Sequence, residues 1–140
     1  MKANVYLNFN GQAEAAFEFY RSIFGGEFTA LHRMNEAPES DKLPEKERNG
    51  ILHISLPIGE NLILMASDIM ESAGQRLVEG NNCYVVVHPD SEADAKRIFK
   101  ALSEGGEIEM PLEHQFWGSY FGCFTDKFGT KWMVDYYEAQ

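Results

Sequence analysis

The chain has 140 residues, and 12 Lys and Arg against 22 Asp and Glu give a formal charge of −10. An apolar fraction of 44% with 13% aromatics is ample for a packed interior and excludes intrinsic disorder. No apolar run reaches the roughly 18 residues that a membrane helix needs. The acidic excess argues against a nucleic-acid phosphate backbone as partner.

In chain order, residues 4–9 (NVYLNF) predict a strand by their partial alternation and β-branched or aromatic content. Asn10-Gly11 breaks it. From Gln12 to Phe24, Ala13, Ala16, Phe17, Phe19 (with Tyr20), Ile23 and Phe24 recur at helical spacing while Glu14, Glu18 and Arg21 are left for solvent. Gly25-Gly26 stops this helix, and residues 27–34 alternate as a second strand. Residues 35–49 carry two prolines and many charges without an apolar period, which predicts a mobile surface loop, long enough to serve as a lid or binding loop.

Two apolar runs, ILHISLPI and NLILMAS, flank Gly59-Glu60 and predict a β-hairpin. Residues 69–80 read as a connector and CYVVV as a strand. Ser91 or Asp90 can cap a second helix over Glu92–Ser103, which again ends in a double glycine, Gly105-Gly106. Strands are expected near 107–112, 117–125 and 131–137.

The two halves match at a shift of 80 residues. Ala13-Glu14-Ala15 corresponds to Ala93-Asp94-Ala95, Phe19 to Phe99, and Gly25-Gly26-Glu27 to Gly105-Gly106-Glu107. Such a repeat takes precedence over local detail. It predicts an α+β fold in one 1–140 domain, built from fused β-α-β-β-β modules 1–68 and 80–137. The modules would form one curved eight-stranded mixed sheet with helices outside and a concave pocket, a favoured place for a small-molecule site.

This pattern resembles the vicinal oxygen chelate superfamily of glyoxalase I, extradiol dioxygenases and fosfomycin-resistance proteins, and within it the PhnB-like branch. The resembling segments are 6–27, 52–68, 89–106 and 110–134. The most specific piece is Phe116-Trp117-Gly118 followed by Asp126-Lys127-Phe128-Gly129 and Trp132. In the metal-dependent relatives, four pocket-facing side chains, from the first and last strand of each module, hold a divalent ion that binds vicinal substrate oxygens. Carried onto this chain, those positions are Val5, Met65, Asn82 or Val85, and Met133. None is a carboxylate or imidazole, and thioethers do not suit such ions. The resemblance thus implies a protein whose ordinary metal site is lost, and no cofactor is expected.

The expected pocket consists of Val5, Leu7, Phe9, Met65 and Met133, with Trp117 as an aromatic wall and Asn82, Ser67 or His53 orienting a ligand. In a simple hairpin register Ile54 faces the pocket with Met65 and His53 faces the helices; a bulge would turn His53 inward as a candidate general base. His32, His88 and His114 read as surface residues, with Glu113-His114 near the cavity rim. Asp135 shares a face with Met133, whereas Trp132 opposes it. The alternative is a metal-dependent lyase or transferase of the glyoxalase or fosfomycin type using displaced ligands such as His53 and Asp135; a purely structural domain is a third reading. Cys83 and Cys123 read as buried free thiols of a reducing cytosol. With no signal peptide in the first twenty residues, the expected protein is a cytoplasmic homodimer with a small-molecule ligand and neither nucleic acid nor membrane as partner. No G-x-S-x-G, Walker, G-x-G-x-x-G or C-x-x-C motif is present.

Overall fold

The apolar stripe of each amphipathic helix must find a sheet to cover it, and each half of the chain supplies one. The computed structural model describes residues 1–137. The chain divides into two units, Met1–Val78 and Glu79–Gln140. The first contains β1 (Val5–Phe9), α1 (Ala13–Phe24), β2 (Ala30–Arg33), α2 (Glu45–Arg48), β3 (Ile51–Ile58) and β4 (Leu62–Asp68). The second contains β5 (Val85–Val87), α3 (Glu92–Ser103), β6 (Glu107–His114), β7 (Ser119–Thr125) and β8 (Lys131–Tyr137). The expected α+β class and eight strands are present, hydrogen-bonded as two four-stranded sheets, one in each unit.

The strand orders are β1-β4-β3-β2 and β5-β8-β7-β6, the same topology twice. In each, the outer first strand runs parallel to the last strand and the other pairings are antiparallel. Helix α1 buries Ala13, Ala16, Phe17, Tyr20 and Ile23, and α3 buries Ala95, Ile98, Phe99, Leu102 and Ser103. Apart from Ser103, these are apolar positions of the helical period; of the expected Phe19 and Tyr20, Tyr20 is the buried one and Phe19 is half-buried. Burying a large apolar side chain of this kind stabilises a fold by about 1.5–3 kcal/mol. Both helices are followed by a glycine in the left-handed region, Gly25 at φ +81° and Gly105 at φ +79°, a conformation that a Cβ disfavours.

The helices start differently. Ser91 caps α3 by accepting a hydrogen bond from the Asp94 amide at 3.0 Å, whereas Gln12 makes no such bond at α1. There Asp68, at the end of β4, accepts from the Ala13 amide at 3.0 Å and, with its other oxygen, from the Ile51 amide at 2.8 Å. Asp68 is buried, so its carboxylate ties β4, α1 and β3 together.

The segment expected to be a mobile loop has local structure: 3-10 turns over Met34–Glu36 and Ser40–Lys42, then α2. The Glu36 carboxylate accepts from the Arg33 amide at 2.6 Å, and that bond, with one from His32, holds its pKa below the usual carboxylate value. Met34 and Glu47 are buried, and Glu47 accepts from the Ser72 amide and hydroxyl at 3.2 and 3.0 Å. Side-chain bonds, short-range at Glu36 and long-range at Glu47, supply the order that an apolar period would have signalled. The cysteine expectation also needs correction: Cys123 is buried, but Cys83 is exposed, because β5 begins only at Val85 and leaves it outside the sheet.

Candidate functional site

The face of each sheet is fixed by what touches the helix. In the first unit the Phe9 ring meets Phe17 of α1 edge-on, with centroids 6.5 Å apart, and Asp68 binds the start of α1. Side chains alternate along a strand and directly opposite residues share a face. The pairs Val5 with Leu64, Leu7 with Ala66 and Phe9 with Asp68 therefore lie under the helix. Val5, Leu7 and Phe9 are thus corrected from the open face to the helix-covered one, with Phe9 buried and Val5 and Leu7 half-buried, since the more apolar stripe of β1 goes to the helix-covered side. The open face instead carries Tyr6 beside Met65 and Asn8 beside Ser67.

The hairpin register is one residue away from the simple expectation. Ile58 pairs with Leu62, so the turn has three residues, Gly59-Glu60-Asn61, and Met65 lies opposite Ser55 while Ile54 lies opposite Ala66. A one-residue slip exchanges the faces of a strand. Ile54 consequently joins the core, fully buried, and His53 turns to the open face. There its Nδ1 is hydrogen-bonded to the Tyr6 hydroxyl at 3.2 Å, with the rings stacked at 5.7 Å. Tyr6 is 46% exposed. Ser67 donates to the Asn8 side chain at 3.3 Å. His32 lies opposite His53 on β2 but is exposed and bound to Glu36 at 3.2 Å.

In the second unit, Phe99 of α3 meets Phe124 edge-on at 5.0 Å, which sends Phe124, Trp132 and Val134 to the helix side. Trp132 is fully buried and donates to Asp126 at 2.9 Å, as its parity against Met133 implies. The open face carries Val86 beside Met133, Met133 beside Cys123, and Asp135 beside Phe121. Trp117, in the β6–β7 hairpin and 47% exposed, lies 6.2 Å from the Phe121 ring. Asn82 is exposed and precedes β5, and Val85 is buried under the helix. His88 bonds to the Asp135 carbonyl oxygen at 3.0 Å, and His114 to Glu92 at 3.2 Å; both are exposed.

Sequence reasoning missed the most connected group on this face. Glu109 accepts from the Tyr84 hydroxyl at 2.6 Å, from the Thr125 hydroxyl at 3.2 Å and from the Lys131 ammonium. Lys131 also donates to Thr125 at 3.0 Å and sits 5.2 Å from the centre of the Tyr84 ring. The Lys131 ammonium, then the Tyr84 hydroxyl, hold the Glu109 carboxyl below its ordinary range. Glu109 in turn raises the pKa values of Lys131 and Tyr84. Burial, then the Glu109 charge, pushes the Cys123 thiol up. Compensated in this way, Glu109 and Lys131 stay ionised and Cys123 stays a thiol, which suits an ordered polar platform rather than a base or nucleophile. The available sequence signal was the alternation of Thr125 and Lys131 on strands flanking the final turn; the bulged β6–β7 register hid Glu109.

A family model for the Glyoxalase/Bleomycin resistance protein/Dioxygenase superfamily matches residues 3–134. The chain belongs to this superfamily. It is 30% identical to protein YjdN of Escherichia coli over 146 aligned positions, covering 100% of this chain and 98% of YjdN. Its structure is similar to that of protein PA1353 from Pseudomonas aeruginosa, at a TM-score of 0.87 and 36% identity, with 99% of each chain covered. The PhnB protein from Bacillus cereus shares the fold at a TM-score of 0.77 and 23% identity, over 97% of this chain and 99% of that one.

Within the superfamily reading, the metal-ligand positions belong on the open face of the first and last strand of each module. The registers above replace Val5 by Tyr6, paired with Met65, and Asn82 or Val85 by Val86, paired with Met133. A phenol, two thioethers and an isopropyl group do not fit a hard or borderline divalent ion. Among the described residues, no group of three or more His, Cys, Asp or Glu is placed to hold a metal ion.

Proposed function

We propose that this superfamily member binds a small organic molecule against the open face of its first sheet, without a divalent ion at the four strand positions. The observation that carries the reading is the Tyr6–His53 pair: an exposed ring stacked on an imidazole and bonded to it at 3.2 Å, next to Met65 and Ser67. Apolar surface with a few convergent polar groups is the usual composition of a ligand site. The open face of the second sheet, taken by itself, has the same character: Val86, Met133, Phe121 and Trp117 are apolar, and the Glu109 platform offers fixed donors and acceptors. Imidazole is the side chain suited to proton exchange near neutral pH, so His53 is the group to which an acid or base role would fall. The protein acts as a cytoplasmic homodimer, a reading supported by the exposed apolar residues Ile108 and Met110 on edge strand β6, which gain from being covered.

The test has two arms. Protein purified without chelator is analysed for Ni, Zn, Mn and Fe and melted with and without EDTA; substoichiometric metal and an unchanged melting point are expected. A thermal-shift screen of small organic molecules should then give stabilising compounds whose effect is reduced in Tyr6→Phe and His53→Gln. A second reading, a metal-dependent enzyme with displaced ligands, is favoured by one observation: Asp135 Oδ1 is buried without a hydrogen-bond partner. Stoichiometric metal lost on Asp135→Ala would establish that reading and refute the first.

A further inference from the structure

On the open face of the first sheet a phenol meets an imidazole, and the chemistry of that bond fixes a proton. The Tyr6 hydroxyl and His53 Nδ1 lie 3.2 Å apart. A phenol O–H is the better donor and an imidazole nitrogen the better acceptor, so the hydroxyl donates and Nδ1 accepts. A neutral imidazole carries one N–H, and the bond made by one nitrogen decides which of the two holds it. In His53 it sits on Nε2. That nitrogen has no partner among the described residues, and it is not buried. Toward a molecule on this face His53 is therefore a donor, not a base.

Its neighbours repeat that polarity. Asn8 lies beside Ser67, and its Oδ1 accepts from the Ser67 hydroxyl at 3.3 Å. The two amide N–H groups of Asn8, an exposed residue, are left without a partner among the described residues. Ser55, opposite Met65, is bonded to Thr29 at 2.8 Å. The unpartnered groups of the face are thus N–H donors, and they call for an oxygen acceptor. Charge decides which kind. Arg33 is the only Lys or Arg in the four strands of this sheet, and it is bound to Glu14 of α1. An anion would find no countercharge on these strands, and it would approach the Glu36 carboxylate, held by His32 opposite His53. An uncharged acceptor avoids both costs. The exposed Tyr6 ring, beside Met65, offers apolar surface on which an aromatic ring packs well.

We propose that Tyr6 is a positioning residue that holds His53 in its Nε2–H form, and that the open face of the first sheet takes an uncharged aromatic carbonyl compound. The carbonyl oxygen accepts from His53 Nε2, with the Asn8 amide on the same face as a second donor, and the ring packs on Tyr6 and Met65. The substrate class rests on the binding reading above; the position of the proton does not.

The test has an arm for each. In the ¹⁵N-labelled full chain at about pH 8, where an imidazole is neutral, two-bond ¹H–¹⁵N spectra should show His53 Nδ1 without a proton and Nε2 with one. Tyr6→Phe should turn that pattern into a mixture of both forms. Acetophenone is then titrated alongside toluene, benzylammonium chloride and sodium benzoate at equal ionic strength. Acetophenone should saturably shift His53 Nε2 and the Met65 and Ser67 amides, and bind about fivefold or more tighter than the other three, the worth of one hydrogen bond. Tyr6→Phe should remove most of that preference while leaving toluene binding unchanged. A proton on Nδ1 in the free protein, or equal affinity for toluene and acetophenone, would overturn the inference and leave the open-face site standing. Failure of all four probes to move the open-face amides would overturn the site itself and the substrate class with it.

Discussion

Replacing Asp68 tests whether a distant carboxylate does the work of a helix cap. In Asp68→Ala, the amides of Ala13 and Ile51 lose acceptors at 3.0 and 2.8 Å. Both residues are fully or almost fully buried, so water does not readily substitute. Each orphaned buried donor costs about 1–3 kcal/mol. The negative charge at the first turn of α1 is lost as well, a further contribution of about 0.3–1 kcal/mol. Allowing for overlap between these effects, Asp68→Ala should cost about 3–5 kcal/mol, whereas Asp68→Asn keeps one acceptor and should cost about half that. Urea denaturation followed by circular dichroism reads the loss as a midpoint lower by about 2 M for Asp68→Ala, at an m-value of about 2 kcal/mol/M. Hydrogen exchange of the Ala13 and Ile51 amides locates it. A loss below about 1 kcal/mol, or unchanged protection of both amides, would refute the reasoning.

Other outcomes follow from the same structure. Glu109 has a folded pKa below its unfolded value near 4.3, so its contribution to stability is complete above the unfolded value and is lost as pH falls through the folded one. Glu109→Gln should therefore flatten the acid limb of melting temperature against pH between about pH 5 and pH 3. Spectrophotometric titration should find the Tyr84 phenol ionising above its usual value near 10, because the Glu109 carboxylate accepts its proton's hydrogen bond, and Glu109→Gln should bring it back. A Cβ at Gly122 would lie 2.7 Å from the Phe99 ring and 2.9 Å from the Leu112 backbone, so Gly122→Ala should destabilise by about 1–3 kcal/mol in chemical denaturation. Tyr6→Phe removes an exposed hydroxyl bonded to His53 Nδ1. It should change stability by less than about 0.5 kcal/mol while shifting the His53 tautomer balance seen by ¹⁵N NMR.

Much of the architecture was legible because it rests on local chemistry. The 3.6-residue period of Ala13–Phe24 and Glu92–Ser103, the glycines that end both helices and the Ser91 cap all act within a few residues of chain. Parity alone separated Trp132 from Met133. Strand register was harder. The turn after β3 holds Gly59, Glu60 and Asn61 rather than two residues, and that single extra residue moved Ile54 into the core and His53 to the open face. In β1 the apolar stripe Val5, Leu7 and Phe9 was visible against Tyr6 and Asn8, while the face that the helix covers was not.

The repeated β-α-β-β-β order and the chain's place in its superfamily were therefore written in the linear order of residues, because periodicity, caps and turns are short-range properties. Folding in three dimensions decided which side chains meet. Asp68 caps a helix 55 residues before it, Tyr6 reaches His53 across the one strand between them, and Glu109 gathers Tyr84, Thr125 and Lys131. Each such encounter depends on register between segments far apart in the chain, which no local pattern encodes.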